Sequence, residues 1–101
     1  MNQAIPFSEA AECLAQLGHP HRLRIFNLLV QAGGAGLKVG EIQEALALPK
    51  STVSHHLAEL ASVRLISQTR ESRVIRCRIE VDRALNIKEF MNRCCDGLPA
   101  A

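Results

Sequence analysis

The stretch Leu48-Pro49-Lys50-Ser51-Thr52-Val53-Ser54-His55-His56-Leu57-Ala58-Glu59-Leu60 decides the fold. Leu48 precedes a proline and is pushed out of helical geometry, so the element before it must end there. Pro49 restarts the chain into a helix expected over about 50–62. Val53, Leu57 and Leu60 recur at helical spacing and form its buried stripe. Ser51, Thr52, Ser54, His55, His56 and Glu59 then fall on or near the outer side.

Working outward, Val39, Ile42 and Leu46 mark a short helix just upstream. Two short helices joined by a tight turn are a helix-turn-helix unit. Phe7, Ala10, Ala11, Leu14 and Leu17 outline the first helix of the chain, with Ser8 as its cap and Gly18 as its stop. Pro20 opens the second, whose apolar face is Leu23, Phe26, Leu29 and Val30, and Gly33, Gly34 and Gly36 make a permissive loop after it.

Downstream the period changes from helix to strand. Ile75, Cys77 and Ile79 alternate with Val74, Arg76, Arg78 and Glu80, and Leu65 to Thr69 supplies an antiparallel partner across the turn Arg70-Glu71-Ser72-Arg73. This hairpin, about 65–80, is the wing; a last helix of about 82–95 follows, capped by Asp82 and stopped by Gly97 and Pro99. The fold class is mostly α with a small β-hairpin, a winged helix-turn-helix in the order α-α-α-α-β-β-α, as a single domain over residues 1–101. Only three aromatics occur, all phenylalanine, so the core must rest on aliphatic side chains, as packed helices do.

The N-terminus lacks the basic flank and apolar run of a signal peptide, and no segment is apolar enough for a membrane span. A cytosolic protein with no membrane partner is expected. Four cysteines in that compartment point to core, metal-binding or redox roles rather than disulfides. There is no Cys-x-x-Cys, nucleotide-binding glycine loop or clustered carboxylate pair, so an enzyme is not expected.

Net charge is only +2, but between Arg64 and Arg78 five arginines face one acid, Glu71, a local balance of +4. Such a stripe suits phosphate. The hydroxyls and imidazoles of Ser51, Thr52, Ser54, His55 and His56 suit the major groove of double-stranded DNA, where small side chains let a helix approach base edges. Lys50, Arg70 and Arg73 would hold adjacent phosphates and set affinity and register rather than sequence.

The run Leu17-Gly18-His19-Pro20-His21-Arg22-Leu23-Arg24-Ile25, with Ser51-Thr52-Val53-Ser54-His55-His56-Leu57 and the downstream hairpin, resembles the ArsR/SmtB family of metalloregulatory repressors. The likeness covers roughly residues 8 to 95. It implies a homodimer formed by the first and last helices, binding an inverted-repeat operator without any cofactor and released by an effector. Two sensor sites of the family are absent: Leu37 to Glu41 holds no Cys-x-Cys, and Asp82 to Asp96 holds no histidine.

Sulfur remains. Ala84, Ile87, Met91, Cys94 and Cys95 lie on one side of the last helix, within a stripe assigned to the dimer interface. Thiolates without nearby histidine favour soft ions, so the expected effector is trivalent arsenic, antimony or an organoarsenical on Cys94 and Cys95, with Cys77 as third ligand. The third thiol could instead come from Cys13 or the other subunit. One alternative keeps the fold and makes the trigger thiol oxidation; another is a winged-helix protein-interaction module with no operator.

Overall fold

The computed structural model describes residues 4–100. It contains helices α1 (Phe7–Leu17), α2 (Pro20–Ala32), α3 (Val39–Leu46), α4 (Lys50–Ser62) and α5 (Val81–Cys94), and strands β1 (Leu37–Lys38), β2 (Ile66–Glu71) and β3 (Val74–Ile79). The strands form one antiparallel sheet in the order β1-β3-β2. This is the winged helix-turn-helix architecture.

Helix boundaries follow the prolines and glycines, whereas side-chain caps do not appear where the sequence suggests them. Pro6 and Glu80 are the N-caps of α1 and α5, so Ser8 and Asp82 lie inside the first turns and cap nothing. In α2, Pro20 occupies the first turn and the Nδ1 of His19 accepts from the His21 N–H at 3.1 Å. At α3 the Glu41 carboxylate accepts from the backbone N–H of Lys38 at 2.8 Å. Each such bond satisfies a donor that the helix itself cannot.

Ala10 and Cys13 of α1, Ile25 and Leu29 of α2, Ile42 of α3, and Val53, Leu57 and Leu60 of α4 are fully buried. Cys77 of β3 joins them, and Ile87 and Phe90 of α5 close one end. The α4 stripe is as the sequence indicates. On α1 and α2 the inward face is rotated: Cys13 and Ile25 are buried, while Phe7, Leu23 and Val30 are exposed. Phe7, 78% exposed, meets Phe90 edge-on with centroids 4.9 Å apart and so joins α1 to α5.

Glu9 ties the same elements electrostatically. Its Oε1 accepts from Arg64 and Arg83, each at 2.8 Å, and the Arg83 Nε also donates to the Val63 carbonyl. The bond from Arg83, foremost, holds the Glu9 carboxyl below its ordinary pKa.

The sheet differs from the expectation in two ways. The hairpin loop is Ser72-Arg73 alone, because Arg70 and Glu71 pair with Ile75 and Val74. β1, which carries no sequence period, adds a third strand through Leu37–Cys77 and Lys38–Arg76 pairings. Gly36 makes this pairing possible. Its φ is +65°, and a Cβ placed there would lie 2.2 Å from the Cys77 carbonyl oxygen. Gly36→Ala is therefore expected to destabilise the protein by about 2–3 kcal/mol in urea unfolding. A loss below about 0.5 kcal/mol, the range of ordinary surface changes, would mean that the approach is not maintained.

Candidate nucleic-acid interface

Residues from α4 and the wing converge on one cleft. Its volume is about 730 Å³, and Lys50, Ser54, Gln68, Arg70 and Arg73 line it. Glu41 and Glu44 of α3 line it as well. The strand register explains the grouping. Alternation along β2 puts Ile66, Gln68 and Arg70 on the face that β3 continues with Ile75, Cys77 and Ile79. That face is core at its base and reaches the α3–α4 cleft at its tip. Gln68 was not singled out by sequence, although the period of two that places Arg70 places it as well.

Ser51 and His55 are exposed on α4 but lie outside this cleft, and Thr52 is half-buried. His56 does not belong to the exposed face. It is 5% exposed and packs with His19 and His21, ring centroids 4.5 and 5.6 Å away. Its Nδ1 accepts from the Arg22 Nε at 3.1 Å, while Arg22 also donates to Gln16. The spacing Val53, His56, Leu57, Leu60 makes His56 the flank of the buried stripe, so it supports α4 from beneath rather than reaching outward.

The arginines sort into two groups. Arg64 is paired with Glu9. Arg76 and Arg78 project from the opposite face of the hairpin, where Glu71 accepts from them at 2.8 and 3.4 Å. Arg76 also donates to the Ala35 carbonyl and Arg78 to that of Gly34, both at 3.1 Å. The hydrogen bond from Arg76 lowers the pKa of Glu71, and the same bond raises that of Arg76. Among the described residues Arg70 and Arg73 pair with no carboxylate. Among the described residues the +4 stripe thus leaves two guanidiniums without a carboxylate partner, both near the wing tip, because the other three pair with Glu9 or Glu71.

The thiols separate in the same way. Cys13 and Cys77 are fully buried, and desolvation raises both thiol pKa values. Cys13 donates to the Val63 carbonyl, and the Gln68 amide reaches Cys77 at 3.8 Å. Cys94 and Cys95 are exposed at the end of α5. Among the described residues no three cysteine, histidine or carboxylate groups come together as a metal site. Cys77 as third ligand to Cys94 and Cys95 within one chain is therefore not supported: it is enclosed by core side chains in the sheet.

The family model described as "Helix-turn-helix domain" matches residues 17–69, more than half of the chain. The chain belongs to the helix-turn-helix domain family. The matched span runs from the end of α1 into β2 and leaves α5 with its cysteines outside. Among solved structures it is similar to an ArsR family transcriptional regulator, with TM-score 0.77 and 16% identity, covering 93% of this chain and 94% of that one. It is similar also to the homodimeric winged helix-turn-helix DNA-binding domain of Mb0332 from Mycobacterium bovis (TM-score 0.70, 24% identity, 98% and 94% covered). A third is the transcriptional repressor BigR from Xylella fastidiosa (TM-score 0.67, 25% identity, 93% and 90% covered). No curated protein matches the chain.

Within this helix-turn-helix, His56 gives the packing of α4 on α2 a pH dependence. Burial, then His19, Arg22, His21 and His55, lowers its pKa below the ordinary 6.5. As pH falls through that value the unfolded chain takes up the proton and the folded one resists. The contribution of neutral His56 is complete above 6.5 and is lost as pH falls toward its lower folded value. Urea midpoints measured between pH 8 and 5 should decline over this window. His56→Gln should flatten the decline, and an equally steep decline in that variant would assign it to another group.

Proposed function

We propose that the chain is a transcriptional repressor of the ArsR/SmtB winged-helix type that binds an inverted-repeat operator as a homodimer. Release follows capture of a trivalent arsenical or antimonial by Cys94 and Cys95. The carrying observation is the cleft where Lys50 and Ser54 of α4 meet Arg70 and Arg73 of the wing. In this reading α4 enters the major groove, with Ser51, Thr52, Ser54 and His55 toward bases or adjacent phosphates. The wing arginines hold the flanking backbone. Homodimerisation is supported by the homodimeric Mycobacterium bovis neighbour and by apolar exposure on Phe7, Val81, Leu85, Met91 and Leu98. Repression is supported by likeness to BigR. The cations of the same cleft support this reading over a protein-interaction module.

On the sensing side, the exposure of Cys94 and Cys95 supports the pair on α5. Two thiolates satisfy a monosubstituted organic arsenical, whereas an ion needing three would have to recruit one from elsewhere in the dimer. Exposed adjacent thiols also favour an oxidative trigger, and the effector experiment separates the two.

Using an operator selected from a random duplex pool, Ser54→Ala with His55→Ala should abolish specific binding and leave the fold intact by circular dichroism. Wild-type affinity would reject their assignment to the DNA face. Arg70→Gln with Arg73→Gln should instead weaken all duplexes alike and reduce the salt slope of log K by about 0.9 per arginine. Cys94→Ser with Cys95→Ser should keep operator binding and lose its release by a monosubstituted trivalent arsenical under reducing conditions. Release of reduced wild type by peroxide but not by arsenical would make the switch oxidative.

A further inference from the structure

Glu71 is the only acid between the start of β2 and the end of β3, and the fold gives it a particular position. It is the last residue of β2, paired with Val74, so its side chain shares a face with Arg76 and Arg78 on the neighbouring strand. It holds both guanidiniums, and each also reaches a carbonyl of the loop after α2, at Ala35 and Gly34. Carboxylate and carbonyl together engage two nitrogens of each guanidinium and hold it along the hairpin rather than toward a phosphate. Glu71 therefore has two effects. It withholds two arginines from the cationic surface, and it orients the guanidiniums that bond the loop after α2.

We propose that Glu71 is a positioning residue that sets how many wing arginines engage the DNA backbone, limiting the engagement to Arg70 and Arg73. The proposal rests on the DNA-binding reading above. Its consequence is specificity. Phosphate contacts strengthen binding to every sequence equally, so holding two arginines back lowers competition from non-specific DNA without touching base recognition. A purely structural ion pair would make a different prediction: its loss would loosen the wing and weaken binding.

The test is the salt dependence of binding to a random-sequence duplex, by fluorescence anisotropy, for wild type, Glu71→Gln and Glu71→Asp. Each phosphate newly neutralised adds about 0.9 to the slope of log K against log salt. Glu71→Gln should steepen the slope by about 0.9–1.8 per chain and tighten low-salt binding, and adding Arg76→Gln and Arg78→Gln should cancel the steepening. Glu71→Asp should return the slope toward that of wild type. A slope in Glu71→Gln that is unchanged or shallower overturns the proposal. A wild type that binds no duplex even at low salt overturns the DNA-binding reading itself and this proposal with it. Because Glu71 lies outside the core, thermal unfolding should be little changed by Glu71→Gln.

Discussion

The close passage of Gly36 beneath the Cys77 carbonyl is the constraint on which the arrangement of the wing depends. No other residue type combines the positive φ with the absence of a Cβ that this approach demands. Once it is made, Leu37 and Lys38 pair with β3, and β3 becomes a central strand rather than the outer arm of an isolated hairpin. Two-stranded hairpins are marginal by themselves in water. The third strand, short as it is, fixes β3 against the helical body at Cys77. The Arg76 and Arg78 bonds to Ala35 and Gly34 extend the attachment toward the tip. The hairpin that carries Arg70 and Arg73 is thus anchored at the loop after α2.

That dependence also marks where sequence reading works and where it stops. Pro20, Pro49 and Gly18 act through their own backbone chemistry, so the helix boundaries they impose are legible locally. The stripe Val53, Leu57, Leu60 and the alternation Ile75, Cys77, Ile79 are legible because a period is a local property with a global cause. β1 is two residues long and has no period to read. His56 stands at the margin of a helical stripe, where periodicity alone permits either side. Its burial is decided by Arg22, 34 positions away. The arginine-rich run looks uniformly free until Glu9 is brought to Arg64 across 55 positions. In a composition count all five arginines weigh the same; in the fold three are paired with a carboxylate.

Engagement of those arginines resolves the tension between a net charge of +2 and a DNA-binding surface. A surface with every guanidinium free would bind duplexes broadly, since phosphate attraction carries no sequence information. Pairing inside the fold leaves a small number of cations beside a helix face of hydroxyls and one imidazole. In the proposed reading discrimination comes from Ser51, Ser54 and His55 at the bases, with Lys50, Arg70 and Arg73 fixing register. In that reading Glu41 and Glu44, which line the same cleft, would repel a backbone that enters it.

The thiols follow an equivalent division. Cys13 and Cys77 fill core positions where burial penalises the thiolate, which is the form that binds soft ions or reacts with oxidants. Enclosure therefore shields the two core thiols, whereas the α5 pair is open to solvent. In the proposed reading the sensing groups thus sit at the exposed end of a helix whose body is docked. Beyond Phe90 its last turn is exposed on all sides, while Ile87 and Phe90 keep its body docked. Binding two thiolates at Cys94 and Cys95 would reshape the end of α5, beside the exposed apolar surface of Met91 and Leu98. An effector there would act on subunit geometry, and hence on the spacing of the two α4 helices, without touching either one.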